Sequence, residues 1–329
     1  LLVLGLVLVG LLPTTIRAQQ GIASWGGDSY DQVLGTPEGG RFAQVAAGGS
    51  HSLALRSDGS IVSWGRDNYS QVSNTPVGPG FTQVAAGYYH SLALRADGSI
   101  VSWGRDNSGQ VSNTPLGPGF TQVAAGGYHS LALRADGSIV SWGRDDNGEV
   151  SNTPVGPGFT QVAAGGYHSL ALRADGSIVS WGRDSEDQVS NTPVGPGFTQ
   201  VVADGYRSLA LRADGSIVSW GYDNYGQVSN TPLSTGFTQV AAGSIHSLAL
   251  RADGSIVSWG NDWYGQVSNT PSATGFTQVA AGAYHSMALR ADGSIVSWGN
   301  DIDGQVSNIP LGTGFTQVAA GAYHSLALR

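Results

Sequence analysis

This chain of 329 residues contains no cysteine and no lysine. Without cysteine it has no disulfide framework and no thiolate-held metal, although exported proteins often manage without disulfides, so this absence leaves the compartment open. Every basic side chain is an arginine. The 15 basic residues are outnumbered by 23 acidic ones, for a formal net charge of −8. A chain of that balance lacks the basic patch that draws nucleic-acid phosphates, and no nucleic acid is expected among its partners. Charge is scarce altogether, at 12% of residues, where about a quarter is usual. Also missing are a Gly-x-Ser-x-Gly elbow, a phosphate-binding glycine loop, a calcium-loop pattern and zinc-ligand spacing. Glycine, in contrast, is abundant at 50 residues. Without a collagen period, and beside alternating apolar segments, it points to a turn-rich β protein.

The longest apolar run, Leu1–Leu12, is too short to cross a bilayer but suits the hydrophobic region of a signal peptide. Pro13 breaks it, and Ile16-Arg17-Ala18 offers a small residue before a cleavage point. No initiator Met and no basic segment precede the run, so the chain is expected to be clipped at its start. Residues 1–18 are therefore expected to be a signal peptide and 19–329 a single domain that is secreted, periplasmic or held at the cell surface. No membrane insertion is expected after cleavage.

The rest of the chain is one unit repeated. Trp25, Trp64, Trp103, Trp142, Trp181, Trp220, Trp259 and Trp298 follow one another at intervals of 39 residues. A period of this length marks a solenoid, propeller or array. In the unit Phe81–Gly119, Phe81–Ala86 and His90–Arg95 alternate as strands do. Asp97-Gly98 is a hairpin signal, because glycine accepts positive φ, and Ser99–Trp103 reads as a third strand. The polar, proline-containing remainder is a connection, with Gln110-Val111-Ser112 as a candidate edge strand. Both faces of these strands are apolar or small, so each sheet needs a neighbour on either side. Blades stacked around an axis meet that need, with alanines near the axis and tryptophan filling the wider gap outside. The first unit lacks its first two strands and the last lacks its third. Shared between the termini they complete one blade, which predicts an all-β, closed β-propeller of eight blades.

The string Val84–Gln110, VAAGYYHSLALRADGSIVSWGRDNSGQ, resembles the regulator-of-chromosome-condensation repeat, whose pattern is G-x-x-H-[ST]-x-[AL]-L…G-x-[VL]-x-x-W-G-x-N-x-x-G-Q. The resemblance extends over nearly all of residues 21–329. It implies a β-propeller, usually of seven blades, so eight departs from the family norm. Asp67, Asp106 and Asp145 stand at the family's Asn position. The short units look most like exported bacterial propellers, a group that includes a β-lactamase inhibitor. Eukaryotic members exchange nucleotide on a small GTPase and bind chromatin. The first activity needs a protruding wedge, and no unit here has an insertion; the second needs a basic surface.

Seven histidines recur, His51, His90, His129, His168, His246, His285 and His324. Equivalent positions in a wide ring stand too far apart to share a metal, so a structural role is expected, each imidazole bonding the backbone of a neighbouring turn. Asp97 and its equivalents belong to the hairpin; Asp106 and its equivalents are expected to cap a loop. One unit breaks the pattern with Asp204 and Arg207, spaced to form a local ion pair. The units differ mainly four and five residues after each tryptophan, and just before each histidine. Exposed aromatics among Asn, Ser and Asp form an adaptable binding surface. Tyr30, Tyr69, Tyr88, Tyr225, Trp263 and Tyr264 are the candidate binding residues, gathered on one face. Trp64, Trp103, Trp142, Trp181, Trp220, Trp259 and Trp298, with His90, His129 and His168, are the structural repeat positions.

These readings lead to a monomeric, non-catalytic, cofactor-free propeller that binds a protein partner, by inhibiting or scaffolding an extracellular or periplasmic protein. The alternative is a structural repeat segment of a larger surface protein. Nucleotide exchange and a channel-bound sugar or substrate rank behind both, the latter because the VAA strand offers no titratable group.

Overall fold

A computed structural model describes residues 21–329; the expected signal peptide, residues 1–18, lies outside them. Twenty-four strands form eight three-stranded antiparallel sheets, and there is no helix among the described residues. In a representative blade the inner strand is Phe120–Ala125, the middle strand His129–Arg134 and the outer strand Ile139–Gly143. Ala124 lies opposite Leu131, and Ala132 opposite Val140. Each full inner strand carries a bulge at its second residue, as between Phe120 and Gln122. The expected edge strand at Gln110-Val111-Ser112 is instead a turn. Its backbone is consumed by the loop contacts described below, so no ladder can form there.

The middle and outer strands are joined at an Asp-Gly turn. Gly137 adopts φ +79, and a Cβ there would lie 2.6 Å from the Gly158 nitrogen and 2.8 Å from the Phe159 carbonyl oxygen. Gly137→Val therefore combines strain with a backbone collision. The variant is expected to melt lower and less cooperatively; an unaltered melting curve would contradict the turn's need for glycine.

The core lies between blades rather than within them. Trp142, Phe120, Val123, Ala125 and Ala132 of one blade share a buried cluster with Ala85, Leu92, Leu94 and Ile100 of the preceding one. The same layer recurs around the ring. Alanine on the inner strand and tryptophan on the outer follow the widening of the gap from the axis. The indole Nε1–H of Trp142 also donates to the Gln110 carbonyl of the preceding unit, at 2.9 Å. Trp142→Ala is expected to cost about 3–5 kcal/mol of stability, read by denaturant titration, for a fully buried aromatic. A loss below about 1 kcal/mol would remove its place in the inter-blade layer.

The ring is closed. Ile22–Gly26 pairs antiparallel with His324–Leu328, which pairs in turn with Gln317–Ala320, so both termini build one blade. Side-chain ladders continue across that joint. At every joint a glutamine amide donates to a valine carbonyl in the next inner strand. Gln83 reaches Val123 at 3.2 Å, and Gln317 reaches back to Val45 at 3.3 Å. The propeller thus has eight blades, one more than is usual for the family it resembles.

Candidate protein-binding face

Each outer strand ends in Trp-Gly, and the glycine lets two loops touch. A Cβ on Gly104 would stand 2.6 Å from the Tyr89 carbonyl oxygen. The next residue, Arg105, donates its backbone N–H to that carbonyl at 2.8 Å. The loop leaving the outer strand is thereby zipped to the loop between the inner and middle strands, on one face of the ring. Asp106 Oδ1 then accepts from the backbone of Val111 and Ser112, at 2.8 and 2.9 Å. Partial burial opposes ionisation of Asp106, but these bonds outweigh it and hold its carboxyl below the usual range. The buried Gln110 accepts from the Ser108 N–H at 2.8 Å. With both ends of the loop pinned, Asn107 and Ser108 are left at the exposed tip. The repeated Asp and Gln hold the loop and the variable pair faces solvent, which explains why that pair is free to vary.

The candidate binding residues all stand on this face. Tyr30, Tyr69, Tyr225, Trp263 and Tyr264 are exposed, Trp263 most at 66%, and Tyr88 is half-buried. Trp263 meets Tyr225 of the preceding unit edge-on, with ring centroids 4.8 Å apart. Tyr264 turns the other way, toward Tyr284 at 6.0 Å. Tyr225, Trp263 and Tyr264 therefore belong to two separate ring pairs.

The structure adds residues that lie at the variable spot before each histidine position but were not among the candidate binding residues. Tyr89, Tyr128, Tyr167 and Tyr206, each just before the middle strand, form an arc with successive centroids 5.5 to 6.4 Å apart. Tyr69 and Tyr88 join it at one end, and Tyr222, Tyr225 and Trp263 at the other. Tyr284 and Tyr323 form a second, shorter arc. Ser50 and Ile245 occupy the same position in the remaining units. Partial burial and the neighbouring phenols Tyr128 and Tyr206 push Tyr167 up to about 12, so it is a neutral hydrogen-bonding group at physiological pH. Four consecutive units place an arginine among these rings. Arg66 lies over Tyr30 and Tyr89, Arg105 over Tyr69, Tyr89 and Tyr128, Arg144 over Tyr128 and Tyr167, and Arg183 over Tyr167 and Tyr206. Tyr222, Asn261, Asn300 and Gly27 take that position in the other four. The signal was present in the sequence as a Tyr just ahead of the middle strand in six units and an Arg after Trp-Gly in four.

The histidines do not reach this surface. Each is buried between blades, and its Nε2 pairs with the serine hydroxyl of the next middle strand, as in His90–Ser130 at 2.9 Å and His129–Ser169 at 2.7 Å. His168 pairs with Ser208 at 2.8 Å and His324 with Ser52 at 2.7 Å, across the closing joint. The partner is thus a serine side chain, not the turn backbone that was expected. The Gly beside each ring is what makes room, since a Cβ on Gly87 would lie 2.6 Å from the His90 ring. Burial lowers His51, His90 and His129 to about 3 and His168 to about 4, keeping the imidazoles neutral. Among the described residues no group of three or more His, Cys, Asp or Glu is arranged to hold a metal.

The exceptional unit replaces this pair with a different device. Asp204 and Arg207 form a fully buried ion pair at 3.0 Å. Arg207 also donates to the Gly243 carbonyl at 2.7 Å and to that of His246. Burial raises the Asp204 carboxyl and opposes the charge on Arg207, each offset by the other. A buried pair of this kind is held by its partners and contributes little net stability. Ser247, which has no histidine from the previous unit, keeps a buried hydroxyl without a partner among the described residues.

A closed ring of eight short blades with its variable aromatic loops on one face is a β-propeller of the repeat class. The chain belongs to the family of the regulator of chromosome condensation (RCC1) repeat, matched at residues 42–71, 81–110, 120–149, 159–188, 237–266 and 276–305, more than half its length. The unmatched interval between the fourth and fifth of these contains Asp204 and Arg207. Among solved structures, Prp20p from Saccharomyces cerevisiae is similar at 20% identity and TM-score 0.63, over 95% of this chain and 92% of that one. The receptor kinase CR4 ectodomain of Physcomitrella patens is similar at 21% and 0.62, over 78% and 74%. The ACR4 ectodomain of Arabidopsis thaliana is similar at 23% and 0.61, over 82% and 99%. At these identities the likeness is one of fold. No curated protein matches the sequence.

Proposed function

We propose that this propeller is an exported, non-catalytic protein-binding module whose partner rests on the aromatic face. The observation that carries the reading is the arc of tyrosines that ends in the exposed, edge-on pair Tyr225 and Trp263. Large, stiff aromatic side chains at variable loop tips bring contact area at low entropic cost, the character of binding hot spots. The similar structure of Prp20p is described together with its binding to Gsp1p and histones, and yeast RCC1 (Prp20) has a structure with Kap60 bound, which supports a protein as the class of partner. Occlusion or scaffolding of an extracellular or periplasmic protein is the form of binding we propose. The test is capture from the producing cell's exported fraction, with the protein beside a folded Tyr225→Ala/Trp263→Ala/Tyr264→Ala variant. A protein held by the wild type and lost by the variant supports the reading. Equal capture by both overturns the assignment of the binding face, and no capture by either overturns the reading in favour of a spacer within a larger surface protein.

A further inference from the structure

We infer that the Arg66–Arg105 end of the tyrosine arc is a subsite for carboxylate side chains, so that the partner presents an acidic segment there. This inference rests on the binding-face reading and names the chemistry of one part of that face. The four arginines of the arc are not equivalent. Arg144 Nε is paired with Asp146 at 2.6 Å, and Arg183 Nε donates to Ser185 Oγ at 2.7 Å. Arg66 and Arg105 have no such answer. Their Nε atoms are buried without a hydrogen-bond partner, and neither side chain makes an ion pair among the described residues. Their neighbours Asp67 and Asp106 direct Oδ1 into their own loops, to Val72 and Ser73 and to Val111 and Ser112.

Both guanidinium groups are held in place by rings instead. Arg66 is 4.7 Å from the Tyr30 centroid and 5.2 Å from that of Tyr89; Arg105 is 5.3 to 5.6 Å from Tyr69, Tyr89 and Tyr128. Tyr88 closes the cluster, occupying room left because its counterpart in the next unit is Gly127, where a Cβ would meet the Tyr88 ring at 2.8 Å. Stacked, half-buried guanidinium groups are pre-ordered and weakly hydrated, so they lose little on meeting a planar carboxylate. Phenol hydroxyls around them add donors at the rim. A polyphosphate strand needs a continuous basic track, whereas the two cations at this end stand apart among rings in a chain of net charge −8. Discrete carboxylates on a protein loop, spaced among apolar or aromatic residues, match two separate cations set among rings.

The probe is a fluorescein-labelled hexaglutamate peptide, titrated with the whole protein and followed by fluorescence anisotropy at low ionic strength. The expected result is binding that weakens with added salt and falls about tenfold or more in Arg66→Gln/Arg105→Gln, the loss of about 1.4 kcal/mol or more. Arg212→Gln/Arg251→Gln, whose guanidinium groups lie over Phe198 and Phe237, is expected to bind as wild type does. Arg66→Lys/Arg105→Lys keeps the charge but not the planar fork and is expected to fall between. Thermal melts check that each variant is folded. Three results overturn the inference: no peptide binding by the wild type, equal binding by Arg66→Gln/Arg105→Gln, or tighter binding of hexauridylate than of hexaglutamate, which would make the site one for nucleic acid. If the exported partner is lost with Tyr225, Trp263 and Tyr264 but these peptide results fail, the face stands and the carboxylate subsite falls.

Discussion

Lowering the pH from 7 toward 4 is expected to unfold the propeller steeply. Seven imidazoles are buried between blades, with His51, His90, His129, His246 and His285 lowered to about 3 and His168 and His324 to about 4. Desolvation by burial is the leading cause in each. In the unfolded chain the same groups titrate near 6.5, so between about 6.5 and 4 the unfolded state binds protons that the folded state refuses. Stability is therefore full above about pH 6.5 and falls as the pH drops, by about 1.4 kcal/mol per pH unit for each histidine once below that value. Seven such groups together outweigh a typical folding stability of about 5–15 kcal/mol within two to three pH units. The hairpin aspartates are also lowered, Asp97 first of all by the bond from the Ser99 hydroxyl, but they withdraw stability only below about pH 4, where unfolded aspartates take up protons. Circular dichroism against pH reads the transition, and a melting temperature unchanged between pH 7 and pH 4.5 would refute the buried neutral state of the imidazoles.

Deleting residues 21–33 is expected to be the most damaging short truncation. It removes Ile22–Gly26 from the blade built by both termini and exposes the edge of His324–Leu328. It also removes Trp25, which is buried, packs beside Met287 and Phe315, and donates to the Gln305 carbonyl at 3.0 Å. Loss of that indole alone is worth about 3–5 kcal/mol, and the lost ladder adds to it. Exposed strand edges also recruit other chains. The truncated protein is expected to melt well below the intact one and to aggregate on heating; calorimetry with size-exclusion chromatography checks both. Unaltered melting of a monomer would show that the shared blade does not hold the ring.

Much of this architecture was legible because the repeat multiplies every local signal. The Asp-Gly turn, the alternation of His129–Arg134 and the tryptophan interval each recur with so little change that strand positions and blade number follow. The loop reading was less complete. Gln110-Val111-Ser112 carries a β-branched residue between polar ones and reads as a strand, yet Asp106 captures the N–H groups of Val111 and Ser112. A side chain competing for backbone donors is not visible in alternation alone. The histidines were legible as inter-blade groups but not as serine partners, since a contact across 40 residues of sequence depends on how neighbouring blades are staggered.

Read as a string of residues, the chain specified the repeat, the three strands of each unit and the need for a neighbour on both faces, because period, turn chemistry and side-chain size are local properties. It also marked Tyr30, Tyr69, Tyr88, Tyr225, Trp263 and Tyr264 as variable aromatics. The folded ring was needed to show that Tyr89, Tyr128, Tyr167 and Tyr206 form one arc with the arginines between them, and that Arg66 and Arg105 lack the partners Arg144 and Arg183 possess. These are relations between blades. They arise from the rotation of one unit against the next about the ring axis, which brings together side chains that the chain itself keeps 39 residues apart.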